Sequence, residues 1–413
     1  MSEEGGGDGT GIGSTNGVGN GDTNGSEGGT DLVAALLDGN HRALARTITR
    51  IEDRAPGYRD LVSALHEHTG KADVIGITGS PGSGKSTLVD RMAEHYREAG
   101  LTVGIIGVDP SSPFTGGAVL GDRIRMSSTT GDMDVFFRSM SARGSLGGLS
   151  TATADAVKAL DAFGKDKVII ETVGAGQNEI DVVKTADTVC VLVPPGSGDD
   201  VQMLKAGILE IGDVFVVNKA DLEGSDRTVT ELREMIEGRS DRLSSLDAGH
   251  HSPSQEHRSH QDHHGTDRTG TSGGTDGTDR SAEAGEAGIE NGTEAWTPRI
   301  VETIAKSGTG VGEFLGALDA HREFLTESGR LERQVRERYA EEIRALLRED
   351  SSALVEREVA ARGGVDSFVD RVVAGEADPY AVVEEVLGPL RECVASEEST
   401  QERGKNDGAG ERA

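Results

Sequence analysis

The chain has 413 residues, with 72 acidic against 42 basic side chains, a net charge of −30 and only 3% aromatic residues. So strong an acidic excess argues against nucleic acid or an anionic membrane as the main partner, and it fits a protein adapted to concentrated salt, where charge is screened over short distances. No apolar run approaches the roughly 18 residues of a membrane span and no signal-peptide pattern opens the chain, so a cytoplasmic protein of two or three domains is expected.

Residues 1–30 are mostly Gly, Ser, Thr, Asn and acid, with little to bury, and read as a disordered head. Helical spacing begins at Asp31 and continues to about residue 70, broken at Gly39-Asn40 and Pro56-Gly57. From residue 71 to 237 strands alternate with helices: "DVIGIT", a helix over 85–99, "TVGIIGVD", a helix near 151–163, "KVIIET", a helix near 178–185, "TVCVLV", a helix near 200–211, and "DVFVVNKAD". Continuous apolar strands of this kind predict an α/β domain whose mostly parallel sheet is covered by helices on both faces. Cys190, inside "TVCVLV", reads as a buried strand residue, and Cys393 has no metal-ligand spacing.

Residues 238–295 have no periodicity and few large apolar residues, so they read as a disordered insertion. Six of the chain's 11 histidines lie there: His250, His251, His257, His260, His263 and His264. Metal storage needs fixed geometry and supporting partners, which nothing nearby supplies, so the histidines read as incidental to a solvated acidic segment. The sheet domain resumes over 296–324 with a last strand in "TPRIVETIA" and a helix in "GVGEFLGALDAHREFL". Residues 325–395 are helical; Leu331, Val335, Tyr339, Ile343, Leu346 and Leu347 make one apolar stripe on a charged helix. Such an arm buries its stripe on its own domain or on a second subunit, and a dimerisation arm is the expectation. Residues 396–413 read as a disordered tail.

The chemistry is concentrated in short motifs. "GSPGSGKST" (Gly79, Ser80, Pro81, Gly82, Ser83, Gly84, Lys85, Ser86, Thr87) sits between a strand and a helix and fits the phosphate-loop spacing. Small residues let backbone N–H groups wrap phosphate oxygens, Lys85 brings charge to the outer phosphates, and the Ser86 hydroxyl can ligate Mg²⁺. "NKAD" ends a strand about 130 residues later: Asp221 can accept from two guanine donors that adenine lacks, Asn218 can fix the loop, and the Lys219 stem can lie over the base. In "TIAKS" Ile304 stands where a Ser is usual, so base contact there rests on the Ala305 backbone. Asp109 and Asp122 lie in a Gly- and Pro-bearing segment over 108–126, as Mg²⁺ ligands or as cap and turn residues.

"ETVGAGQNEI" follows an apolar strand, the place where many nucleotide hydrolases hold magnesium and sense the third phosphate. Glu171 is one methylene longer than the usual Asp and reaches the same metal directly or through water. Ala175 follows Gly174 where a water-orienting Gln is common, and Gln177 and Asn178 have different spacing. Slow hydrolysis in isolation is therefore expected, with site assembly completed by a partner or by switch movement.

Together with "DPSSPFTGGAVLGDRIRM", "FFRSMSARGSLGGLS" and "VLVPPGSGDDVQMLKAGILEIGD", these motifs resemble the MeaB/ArgK family of G3E-type P-loop GTPases, relatives of the methylmalonic aciduria type A protein. The resemblance spans about 31–237 and 296–390. It implies a homodimeric GTPase that gates adenosylcobalamin loading, protection or reactivation of a B12-dependent acyl-CoA mutase, typically methylmalonyl-CoA mutase, with the cofactor held by that partner. It implies phosphate binding by residues 79–87, magnesium or switch roles for Ser86, Asp109, Asp122 and Glu171, and guanine reading by Asn218, Lys219 and Asp221. Lys205, in a segment matching a third switch, joins Lys85 and Glu171 as a catalytic candidate; Arg143 is a further cation, equally readable as a structural ion pair. Two other readings are an ATPase or kinase of a basic amino-acid transport system and a nickel-insertion GTPase. The guanine motif opposes the first, and the remoteness of the histidines from the switches opposes the second.

Overall fold

The computed structural model describes residues 24–109, 131–141, 146–172, 174, 183–196, 208–247, 295–389 and 391. Its first unit runs to Ser328 and is built on one seven-stranded sheet, in which the strands are β1 (Asp73–Gly79), β2 (Val103–Asp109), β3 (Val135–Ser141), β4 (Lys167–Thr172), β5 (Thr188–Val193), β6 (Val214–Asn218) and β7 (Arg299–Thr303). All pairings are parallel, in the order β3-β2-β4-β1-β5-β6-β7. β1, β5 and β6 are buried along their whole length, the burial that Val- and Ile-rich runs without polar alternation require. β7, at one edge, alternates exposed and buried residues.

β3 forms the other edge and was not legible as a strand. "VFFRSMS" carries Arg138 and two serines instead of a continuous apolar run, as a half-covered edge permits. Arg138 reaches Glu52 at 2.6 Å, and that nearly buried ion pair ties the helical N-terminal region to the sheet edge.

Helices cover both faces, as expected. α4 (Lys85–Glu98) and a later helix, α7 (Val311–Glu327), pack Leu88, Met92, Phe314 and Leu318 against Ile75, Ile77 and Val216. The opposite face is covered by α1 (Asn24–Leu37), α2 (His41–Glu52), α3 (Tyr58–His66) and α5 (Leu146–Phe163), through Leu36, Leu44, Ile48, Leu65 and Leu160. α6 (Ser225–Asp247) packs Leu232 and Ile236 on Phe215 and Val217. β1 is central, and the chain leaves it toward β2 on one side while the β4 connection crosses to β5 on the other. This change of direction leaves a crevice at the carboxyl ends of the strands, where α/β sheets bind ligands.

Three expected boundaries move. Residues 24–30, assigned by composition to the disordered head, are the start of α1; adding turns to a helix already anchored by Leu36 costs far less than nucleating one. α6 continues to Asp247, past residue 238 where the insertion was expected to begin; Arg239, Arg242, Leu243 and Leu246 are good helix formers, while the Ser and Asp residues between them gave this stretch the composition of a loop. α5 begins at Leu146, earlier than its apolar spacing suggested. The expected helices near 178–185 and 200–211, residues 1–23 and the histidines of the insertion lie almost wholly outside the described residues.

The second unit begins at Gly329, whose φ of 69° ends the preceding helix and favours glycine. α8 (Arg330–Ala361) is one helix of 32 residues without a buried side chain, and Ile343 and Leu347 of the expected stripe are 58% and 62% exposed. α9 (Gly364–Val373) buries Phe368, and Arg371 bonds both carboxylate oxygens of Glu385 on a helix over 379–389. Among the described residues no helix is long and apolar enough to cross a membrane.

Candidate functional site

Five strand ends meet at the carboxyl edge of the sheet: Gly79 of β1, Asp109 of β2, Thr172 of β4, Asn218 of β6 and Thr303 of β7. The phosphate loop leaves β1 at Gly79 with φ 139°, and a Cβ there would stand 2.2 Å from the Leu192 carbonyl oxygen of β5. Only glycine allows that approach. Gly84, φ 97°, opens α4, and its helix start has no side-chain cap, so the first amides of α4 face the loop's mouth as anion donors. Lys85 is 6% exposed, and its Nζ donates to the Gly79 and Ser80 carbonyls at 2.6 and 2.9 Å. The loop backbone thus stores the cation at the place where phosphate oxygens would take it over.

At the exit of β4, Glu171 is buried and accepts a hydrogen bond from the Ser86 hydroxyl at 2.5 Å. The β1–β4 register, which sets Ile77 opposite Glu171, brings this carboxylate to the start of α4. A hydroxyl and a carboxylate oxygen converging beside a phosphate loop are hard oxygen donors of the kind Mg²⁺ accepts.

The base-reading motif is bonded to the phosphate loop and to β7. Asn218 is 2% exposed; its Nδ2 donates to the Ser83 carbonyl at 2.7 Å, and its Oδ1 accepts from Thr303 Oγ1 and from the Ala305 amide, each at 3.1 Å. Lys219 holds φ 63°, one of two non-glycine residues with positive φ among the described residues. Its Nζ donates to the Gly82 carbonyl at 2.7 Å, so the stem runs from the base loop back to the phosphate loop. Strain of this kind, held by two elements, is characteristic of ligand sites. Asp221, in the following turn, is exposed.

The family model for methylmalonyl Co-A mutase-associated GTPase MeaB matches residues 44–360. The chain belongs to the MeaB family. A protein of Pyrococcus abyssi that carries a GTPase name is 40% identical over 372 residues, covering 90% of this chain and 99% of that one. The mouse mitochondrial methylmalonic aciduria type A homolog is 34% identical over 204 residues, 46% of this chain and 49% of its own. A crystal structure described as a LAO/AO transport system kinase shares the fold with a TM-score of 0.55 at 22% identity, covering 89% of this chain and 98% of that one.

In this member of the MeaB family, the residues expected from the sequence divide into three groups. Gly79 to Thr87, Glu171, Asn218, Lys219, Asp221 and Ala305 gather at one edge. Asp109 ends β2 on the same edge, though its side chain lies outside the description. Asp122, Arg143, Ala175, Gln177, Asn178 and Lys205 lie outside the described residues. The Ala305 amide, expected to meet the base, donates to Asn218 in this structure.

Sequence reasoning missed two residues that hold the base loop. Thr303, 1% exposed, bonds Asn218. Arg91 of α4 donates from Nε to the Ala305 carbonyl at 3.3 Å and from its terminal NH2 group to the Lys306 carbonyl at 3.2 Å, while Glu94 fixes its other end at 2.6 Å. No motif marks Arg91; its register, two turns into the helix that starts at Lys85, was the available clue.

Proposed function

We propose that this chain is a magnesium-dependent GTPase that gates adenosylcobalamin loading, protection or reactivation of a B12-dependent acyl-CoA mutase, with methylmalonyl-CoA mutase the foremost candidate. The observation that carries the guanine reading is the Asn218–Lys219–Asp221 loop bonded into the phosphate loop. The mutase reading is supported by the family's name and by the name of the mouse relative.

The residues divide the work by chemistry. The amides at the start of α4 and the loop backbone bind the phosphates, and Lys85 leaves its two carbonyls to neutralise their outer oxygens. Ser86 and Glu171 would hold magnesium, whose chemistry is to neutralise charge between the outer phosphates. Asp109 and Asp122 extend that acidic surround, and Lys205 enters from the third switch. Asp221 reads the base edge, Asn218 keeps the loop rigid, and the Lys219 stem covers the base face. Energy use is regulatory: GTP binding and hydrolysis shift populations of conformations that the mutase distinguishes. The exposed stripe on α8 serves a homodimer, and the net charge suits a salt-rich cytoplasm.

The test is GTP and ATP turnover at high salt, alone and with purified methylmalonyl-CoA mutase. Slow GTP hydrolysis that the mutase accelerates several-fold supports the reading. ATP preference, or stimulation by nickel but not by the mutase, overturns it in favour of a transport-linked or nickel-insertion role.

A further inference from the structure

Thr78 and Thr172 have no part in the assignments above, yet they lie at the carboxyl ends of the two strands that carry the phosphate loop and Glu171. Thr78 immediately precedes the first glycine of the phosphate loop, and Thr172 immediately follows Glu171. Both are fully buried, at 0% exposure. The β1–β4 register places them side by side, with hydroxyl oxygens 3.1 Å apart. Both also converge on one acceptor: the Gly174 carbonyl oxygen lies 3.1 Å from Thr78 Oγ1 and 3.0 Å from Thr172 Oγ1.

Two hydroxyls supply two protons for these three contacts. Either both protons go to the carbonyl, or one hydroxyl relays through the other; in each case Gly174 is held. The Ile77 carbonyl, 3.5 Å from Thr172 Oγ1, is too distant to compete. A glycine loses more freedom on ordering than any other residue and has no side chain with which to anchor itself. Here the anchoring is supplied by the ends of two adjacent central strands, which is where a site element is held most rigidly.

We propose that Thr78 and Thr172 are positioning residues for GTP turnover: a buried hydroxyl pair that pre-orders Gly174 for the third phosphate. The inference rests on the GTPase reading, in which the glycine of "ETVG" senses that phosphate. Ordering completed on folding does not have to be paid again on binding. GDP has no third phosphate, so the pair contributes to GTP affinity and turnover and not to GDP affinity. A pair that merely satisfied buried hydroxyls would affect both nucleotides alike.

The experiment uses the full chain with Thr78→Val, Thr172→Val and the matching Thr→Ser variants. It measures calorimetric affinity for GDP and for a non-hydrolysable GTP analogue, single-turnover GTP hydrolysis, and Tm. Loss of a hydrogen bond predicts about a three- to tenfold weakening for the GTP analogue. Hydrolysis slows by a comparable factor, GDP affinity is unchanged, and Ser restores both. The two Val variants report independently on the same carbonyl, so failure of one to fold leaves the other decisive. Equal losses for GTP and GDP, or a lower Tm with neither affinity moved, overturn the proposal and leave the pair structural. Wild-type protein that fails to prefer guanine nucleotides overturns the GTPase reading itself, a separate outcome.

Discussion

Asn218→Ala tests whether the base loop and the phosphate loop form one mechanical unit. The substitution removes one bond to the Ser83 carbonyl and two from Thr303 and Ala305, at 2.7, 3.1 and 3.1 Å. Each is worth about 1 kcal/mol net, and a partner stranded in the interior adds to the loss. The stranded residues are 0%, 1% and 2% exposed, so water replaces the amide poorly and the total is about 3–5 kcal/mol. For a domain of this size each kcal/mol moves the melting point by about 2–4 °C, which predicts a drop of about 6–20 °C. Asp221→Ala is the control: the residue is exposed, so stability changes by no more than about 0.5 kcal/mol while the preference for GTP over ATP collapses. Thermal melts of both variants, with GTP and ATP affinities, separate the two roles. A melting point within about 2 °C of wild type for Asn218→Ala would refute the reasoning, because three buried bonds cannot vanish at so small a cost.

Arg91→Ala frees the Ala305 and Lys306 carbonyls, so GTP-over-ATP selectivity is expected to fall about two- to fivefold while inhibition by tripolyphosphate stays unchanged. A lower affinity for tripolyphosphate would assign Arg91 to the phosphate side instead. His321 is held neutral in the core: burial pushes its pKa from 6.5 down to about 4, against a smaller upward pull from Asp187. Its Nδ1 lies 2.9 Å from Thr188 Oγ1, its Nε2 3.5 Å from Asp213, and Trp296 packs on its ring. The unfolded chain therefore takes the proton first, so this contribution is complete above pH 6.5 and is lost as pH falls toward 4, by about 2 kcal/mol between pH 7 and pH 5. Urea midpoints at the two pH values should show this slope in wild type and a flatter one in His321→Gln. Ile343→Glu combined with Leu347→Glu, at two exposed positions of α8, should convert a dimer to monomer in sedimentation equilibrium without lowering the melting point of the nucleotide unit.

What the sequence made legible follows the range over which its signals act. β1, β4, β5 and β6 were readable because strands covered on both faces must be apolar without interruption, and "VIGIT", "VIIET", "TVCVLV" and "VFVVN" carry that constraint residue by residue. β3 was not, because an edge strand tolerates Arg138 and its serines; its place depends on β2 and on Glu52, distant in the chain. The phosphate loop was readable for a different reason. A Cβ at Gly79 would stand 2.2 Å from the Leu192 carbonyl oxygen, so only glycine is accepted there and the chemistry leaves a mark at fixed spacing. The base loop was readable from its side chains, Asn218, Lys219 and Asp221, at the end of an apolar strand.

The supports of the site leave no such mark. Arg91 meets the Ala305 carbonyl across 214 residues of chain, Asn218 meets Ser83 across 135, and Thr78 meets Gly174 across 96. In each bond one partner is a backbone carbonyl, which every residue possesses, so the acceptor's identity carries no information and only the fold brings donor and acceptor together. Two of these bonds, with that of Thr303 to Asn218, tie the end of β1 to that of β4 and the phosphate loop to the ends of β6 and β7. A nucleotide that draws Lys85 off the Gly79 and Ser80 carbonyls would therefore act on a loop in which Gly82 and Ser83, just past Pro81, are already bonded to Lys219 and Asn218. The phosphate and base ends of one ligand would thus be coupled through the loop backbone between Gly79 and Ser83, and selectivity for guanine and response to the third phosphate should shift together in any variant that loosens the loop, as is expected of Asn218→Ala and not of Asp221→Ala.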